Sequence, residues 1–195
     1  MCKDHRSLKK DIQKYLNIEI TDKPVYYKVI SEQKCKKYTQ KLISFLGSEK
    51  DQIKAYLFIP EGEGPFPATL VHHQHNGERN YGKSEICGLV GDQYQGFGPE
   101  LAQKGMVVLA PDSICFEDRR INKSGVEPDD EYSDFLQHYN EMCYRILKGK
   151  TLMEKVIEDA SIAISLLRTI EDVENNRIGI LGHSYGGIPH CFKVH

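Results

Sequence analysis

The chain has 195 residues, enough for one domain with a sizeable core, and its 39% hydrophobic and 28% charged residues describe an ordinary globular protein rather than a disordered one. Its 26 basic and 28 acidic side chains are interspersed and leave a formal net charge of −2, which excludes the basic footprint of a nucleic-acid binder. No run of about 18 apolar residues occurs and the start, MCKDHRSLKK, has no apolar stretch like that of a signal peptide. The reading is therefore a cytoplasmic protein with no nucleic-acid and no membrane partner. Its six cysteines form no C-x-x-C pair and are expected as reduced thiols.

In chain order, Leu8, Ile12, Tyr15 and Leu16 share one helical face, and residues 1–37 read as a helical accessory segment. The β-rich runs YTQKLISF (38–45) and QIKAYLFIP (52–60), joined by LGSEKD, predict an antiparallel hairpin. After the break EGEGPFP, the apolar run ATLVHH (68–73) has the pattern of a strand buried on both faces of a parallel sheet. FGPELAQKG (97–105) predicts a helix closed by Gly105, and MVVLAPD (106–112) a further buried strand. Two helices follow. The first, over 130–149, carries the stripe Tyr132, Phe135, Leu136, Tyr139, Met142, Cys143 and Ile146; the helix is expected to border the pocket and shape specificity, and core packing explains the stripe equally well. The second, over 152–170, carries Met153, Val156, Ile157, Ala160, Ala163, Ile164 and Leu167 at the same spacing. RIGILG (177–182) is the last predicted strand, so the whole is an α/β chain with helices layered on a sheet.

Three stretches carry chemistry. Ser184 lies in GHSYGG, between Gly182 and Gly186, where a strand-to-helix turn would lift a nucleophile to the carboxyl edge of the sheet. The backbone N–H of Tyr185 would then form half of an oxyanion hole. HHQHNG (72–77) follows the strand at 68–73, and the amide of His75 would supply the other half, with Gly77 letting the loop pass close over the serine. His73 and His75 could share one face as metal ligands, but no third ligand stands at a zinc-like spacing. GERNYGKS (77–84) matches the phosphate-cradling G-x-x-x-x-G-K-S string. Its context argues against it, because HHQHN separates it from the strand and the stretch that follows is too glycine-rich for a firm helix. Tyr81, Lys83 and Glu85 are expected on a solvated loop without function, the alternative being that they face the site's entrance.

With the strand at 68–73, HHQHNGERNYGKSE, ELAQKGMVVLAPD and GHSYGG in that order, residues 38–187 resemble the α/β-hydrolase superfamily, in particular its dienelactone-hydrolase-like and acetyl-xylan-esterase-like branch. The resemblance implies a mostly parallel sheet with helices on both faces, no cofactor, and hydrolysis of a small-molecule ester through an acyl-enzyme on Ser184. It also implies a triad acid and histidine on loops after later strands, and no such strands follow GHSYGG here. A helix leaving the elbow would carry His190 about 9 Å from the serine, and His195 further still, so neither is expected to serve as base. His183 is expected to line the elbow. Residues 38–195 are accordingly read as the first part of a hydrolase domain, truncated after the elbow, with self-association expected through an uncovered sheet edge. The alternatives are an inactive binding or scaffold protein of the same fold, and a P-loop nucleotide binder.

Overall fold

The computed structural model describes residues 5–75 and 77–187. Expectations for His190 and His195 lie outside those residues. The elements are α1 (His5–Tyr15), β1 (Lys28–Lys34), β2 (Tyr38–Leu46), β3 (Gln52–Pro60), β4 (Phe66–His72), α2 (Lys83–Ile86), α3 (Phe97–Gln103), β5 (Val107–Pro111), α4 (Glu131–Leu147), α5 (Leu152–Leu167) and β6 (Val173–Gly182).

One six-stranded sheet runs in the order β1-β2-β3-β5-β4-β6. The predicted hairpin is β2–β3, in register from Tyr38 opposite Pro60 to Leu46 opposite Gln52. β1 pairs antiparallel with β2, and β3 antiparallel with β5. Only β5-β4-β6 is parallel, so among the described strands the parallel share of the sheet is smaller than the resemblance implied. β1 is itself a departure from the sequence reading, since KVISEQK is exposed along its whole length and offers no alternation to detect. At α1, Tyr15 is 90% exposed, so that residue does not pack on the body as expected.

The strands alternate between two apolar layers. Ile53, Ala55, Leu57, Leu70, Val107 and Leu109 face Ala160, Ala163, Ile164 and Leu167 of α5. Phe58, Val71, Val108 and Ala110 face Ile86 of α2 and Ala102 of α3. Helices therefore cover both faces, as expected. α5 begins on a reciprocal cap: Thr151 Oγ1 accepts from the Glu154 N–H at 2.9 Å, and Glu154 Oε2 accepts from the Thr151 N–H at 3.2 Å.

α4 behaves otherwise. Its buried face carries Asp134, Gln137 and Arg145, whereas Tyr132, Phe135, Tyr139 and Ile146 are at least half exposed. Polar anchoring turned the helix over: Arg120 pairs with Asp134 at 3.2 Å, Gln137 Oε1 accepts from the Ile121 N–H at 2.8 Å, and Arg145 pairs with Glu49 at 2.8 Å. Of the two readings of the stripe, core packing is the one that fails: it is an outer face of the described structure.

Candidate active site at the strand ends

All three parallel strands end at one edge, where ligands of open α/β sheets bind. The loops leaving that edge carry His73 to Arg79 after β4, Asp112 to Phe116 after β5, and His183 to Tyr185 after β6.

Ser184 has φ +54°, a left-handed conformation rare for a residue with a side chain, and it is exposed. Such strain persists only where the surroundings enforce it. Here the enforcement is steric. A Cβ on Gly182 would stand 2.0 Å from the Gly186 carbonyl oxygen, and a Cβ on Gly186 would stand 2.4 Å from that of His72 and 2.7 Å from that of His73. The turn closes with the Gly186 N–H donating to the His183 carbonyl at 2.9 Å. The two glycines that frame the serine thus let the elbow lie directly on the backbone leaving β4. That close approach brings together the residues singled out in the sequence, with the His75 ring 5.7 Å from the Tyr185 ring.

Two hydrogen-bonded chains hold the site. In the first, His183 Nδ1 meets Gln74 Oε1 at 3.2 Å, and Gln74 Nε2 donates to Glu85 Oε1 at 3.0 Å. His183 therefore ties the elbow to the loop after β4 rather than serving only as lining. Burial raises the Glu85 carboxyl above its ordinary range, against the Gln74 hydrogen bond. In the second chain, Arg79 Nη1 and the Gly77 N–H both reach His75 Nδ1, at 3.1 and 3.2 Å, and His75 Nε2 meets His138 Nδ1 of α4 at 3.3 Å. Phe116 packs beneath this group, 5.4 Å from His75, 5.7 Å from His138 and 5.0 Å from the Arg79 guanidinium. Burial, then the nearby Arg79 charge, pushes both His75 and His138 down to about 4. Tyr185 is pushed up to about 12, chiefly by burial, with its hydroxyl 3.4 Å from Ser113 Oγ. His138 was not legible in the sequence as a site residue: α4 brings it in from far along the chain.

The metal reading of His73 and His75 fails on lone pairs. His73 donates from Nδ1 to the Gln74 carbonyl at 2.8 Å and accepts at Nε2 from the Ser113 N–H at 3.1 Å. His75 Nδ1 is occupied by Arg79 and Gly77, which leaves its proton on Nε2. Burial pushes His73 down to about 4, so it stays neutral in that arrangement.

The G-x-x-x-x-G-K-S string does cradle an anion, but the anion belongs to the protein. The N–H groups of Gly82 and Ser84 donate to Glu117 Oε2 at 3.1 and 2.9 Å, and the Lys83 N–H donates to Asp112 Oδ1 at 2.8 Å. Lys83 Nζ sits among three carboxylates, 2.9 Å from Asp112, 2.6 Å from Asp118 and in close contact with Glu117. Burial opposes its charge, yet Asp112 and Glu117 outweigh that and raise its pKa. Lys83 and Glu85 are each 2% exposed, which corrects their expected place on a solvated loop. The same three carboxylates are the described group with metal-like spacing, and the Lys83 ammonium fills it.

A serine held in left-handed conformation at a glycine-framed turn, after a parallel strand and against the loop that leaves the adjacent strand β4, is the architecture of an α/β hydrolase. The chain belongs to the dienelactone hydrolase family, whose profile matches residues 53–190. It is 34% identical over 151 residues to the "putative hydrolase YtaP" of Bacillus subtilis (strain 168), covering 75% of this chain and 44% of that one. Its fold is that of the "putative acetyl xylan esterase" of Bacteroides fragilis NCTC 9343, with TM-score 0.77, 14% identity, and coverage of 97% of this chain and 50% of that one. It also resembles the acetyl xylan esterase of Paenibacillus sp. R4, with TM-score 0.54, 20% identity, and coverage of 95% and 53%. The chain thus spans about half the length of these relatives. Among the described residues no helix is long and apolar enough to cross a membrane.

Proposed function

We propose that this chain carries the nucleophile and oxyanion-hole half of a serine hydrolase acting on carboxylic esters of small molecules. Ser184 attacks the ester carbonyl, the N–H groups of Tyr185 and His75 receive the developing oxyanion, and an acyl-enzyme results. The observation that carries this reading is the left-handed Ser184 at an elbow that tolerates no Cβ on either side. Family membership supports the hydrolase class.

An activating imidazole is required, and the described histidines beside the elbow are committed elsewhere. His75 accepts from Arg79 and donates to His138, and burial holds its pKa far below neutrality. His183 is bound to Gln74. On this reading the base and its acid partner come from outside the described residues. The relatives' additional length is consistent with their being encoded after the codon for His195, and reading that DNA in three frames checks it.

The direct test is reaction of the chain, extended through its downstream sequence to the relatives' length, with a fluorophosphonate probe followed by peptide mass spectrometry. Labelling is expected at Ser184 and lost in Ser184→Ala. Hydrolysis of p-nitrophenyl acetate by the chain alone is expected to stay within the about 10³–10⁴-fold over water that an oxyanion hole and binding give without a triad. Labelling at another serine, or none at all, would overturn the hydrolase reading in favour of a scaffold role.

A further inference from the structure

The G-x-x-x-x-G-K-S string is pinned at Gly82, Lys83 and Ser84 by the carboxylates of Glu117 and Asp112, and the next residue along it is Glu85. Glu85 is 2% exposed. The Asp92 N–H donates to its carboxylate, and the backbone at Gly91, with φ +71°, passes so near that a Cβ there would stand 3.0 Å from Oε1. Burial works against the charge of Glu85, and the donors of Gln74 and Asp92 work for it. This carboxylate is therefore a fixed acceptor inside the protein, held from below by the string and from the side by the loop at Gly91.

An ionised carboxylate only accepts, so Gln74 must turn its Nε2 to Glu85 Oε1, at 3.0 Å, and its Oε1 the other way, to His183 Nδ1 at 3.2 Å. His183 can answer that oxygen only by donating, which puts its proton on Nδ1. Glu85 thus decides how the buried amide lies, and the amide decides the tautomer of the residue before Ser184. Gln74 is held a third time at its carbonyl, which accepts from His73 Nδ1 at 2.8 Å, and His73 is fixed in turn by the Ser113 N–H at its Nε2. In a planar trans peptide the N–H of one residue points opposite the carbonyl of the residue before it. With Gln74 clamped at its carbonyl and at both ends of its side-chain amide, the N–H of His75 has one direction, and the bond to His183 ties its loop to the elbow that carries the Tyr185 N–H.

Resting on the hydrolase reading, we propose that Glu85 is a positioning residue for the reaction: through Gln74 and His183 it sets the mutual placement of the two oxyanion donors, the N–H groups of His75 and Tyr185. It acts on those donors through the amide of Gln74 and not on the reacting atoms. The charge that the donors receive exists only in the transition state, so loosening their placement lowers kcat and leaves KM nearly unchanged. The string that resembles a phosphate loop then has a use of its own, as the anchored base on which this chain of hydrogen bonds stands.

Two measurements test this. Nitrogen-15 spectra of the histidine rings in the chain as it stands are expected to show His183 as the Nδ1–H tautomer, its signal assigned by its loss in His183→Leu. Glu85→Leu frees the Gln74 amide to turn over and should convert His183 into a mixture of tautomers, whereas Glu85→Gln, whose amide oxygen accepts the same bond, should keep Nδ1–H. The second measurement is p-nitrophenyl acetate hydrolysis by the chain extended through its downstream sequence. There Glu85→Leu is expected to lower kcat about ten- to a hundred-fold, short of the about 10²–10³-fold of losing a donor outright, with KM within about two-fold and Glu85→Gln close to the wild type. Since Glu85 acts through His183, the same substitution made in a His183→Leu background should cost little more. Gln74→Met cuts the chain of bonds at its middle and gives the same two readings where Glu85→Leu does not fold. An Nε2–H tautomer at His183, a wild-type kcat in Glu85→Leu, a loss confined to KM, or additive losses at Glu85 and His183 would overturn the proposal. Failure of the hydrolase reading is distinguished by the absence of fluorophosphonate labelling at Ser184 in the unsubstituted extended chain.

Discussion

Lys83 is 2% exposed and is surrounded by Asp112, Glu117 and Asp118, so its ammonium is the countercharge of a buried acidic cluster. Lys83→Met removes that charge and leaves three carboxylates facing one another. The expected cost is about 3–5 kcal/mol at high pH, the range for breaking a buried ion pair from one side. Burial and the Glu117 charge already push the Asp112 carboxyl up to about 7, and without the lysine it rises further above its unfolded value, so the penalty is full at high pH and shrinks as pH falls toward neutrality. Urea unfolding of both proteins at about pH 9 and about pH 7 measures this, and a variant as stable as the wild type at the higher pH would refute it. The sequence showed the anion-cradling string and the context that made it a poor phosphate loop. It could not show that Glu117 fills the cradle, because that contact joins residues 33 to 35 positions apart. The elbow was legible for the opposite reason. Gly182, Ser184 and Gly186 are local, and their spacing alone carries the steric demand that the structure shows.

At the scale of elements, α4 and α5 show what periodicity can and cannot settle. Both have an apolar stripe at helical spacing, yet only that of α5 faces the sheet. On α4 the buried positions are Asp134, Gln137 and Arg145, each paired with a distant group, and the stripe lies outside with Phe135 and Tyr139 stacked 6.2 Å apart. A pattern of apolar residues reports that a face exists, whereas its partner is decided by the rest of the chain. Substitutions should separate the two helices sharply. Phe135→Lys and Tyr139→Glu are expected to change unfolding free energy by less than about 0.5 kcal/mol, as surface changes do. Leu166→Ala in α5, at a fully buried position, is expected to cost about 2–5 kcal/mol. A loss above about 2 kcal/mol from either α4 substitution, measured by urea denaturation, would show that the stripe is packed in solution. β1 makes the same point from the other side. With every residue exposed it had no signature, and only its pairing with β2 makes it a strand.

In the molecule as a whole, β6 is an edge strand of the sheet, with β4 its one partner among the described residues. From Arg177 to Gly182 it presents a single charge, so it lacks the repeated lysines or proline that usually blunt an edge. Self-association is expected, visible as a concentration-dependent sedimentation coefficient. Leu181→Lys, at an exposed position near the strand's end, should shift the chain toward monomer without loss of helical circular dichroism. A monomeric wild type across the accessible concentration range would refute this. The order of the strands has a further consequence, in time. β4 is made early and takes β5 on one side, but its other side stays open until β6 has been synthesised. At about 5–20 residues per second, the apolar strand FPATLVH waits on the order of ten seconds on the ribosome with one row of amides and carbonyls unpaired. The segment that ends the wait is the one that bends into the elbow. Closing the sheet and forming the Ser184 turn are therefore one event, and a nascent chain makes no elbow before the open side of β4 has been covered.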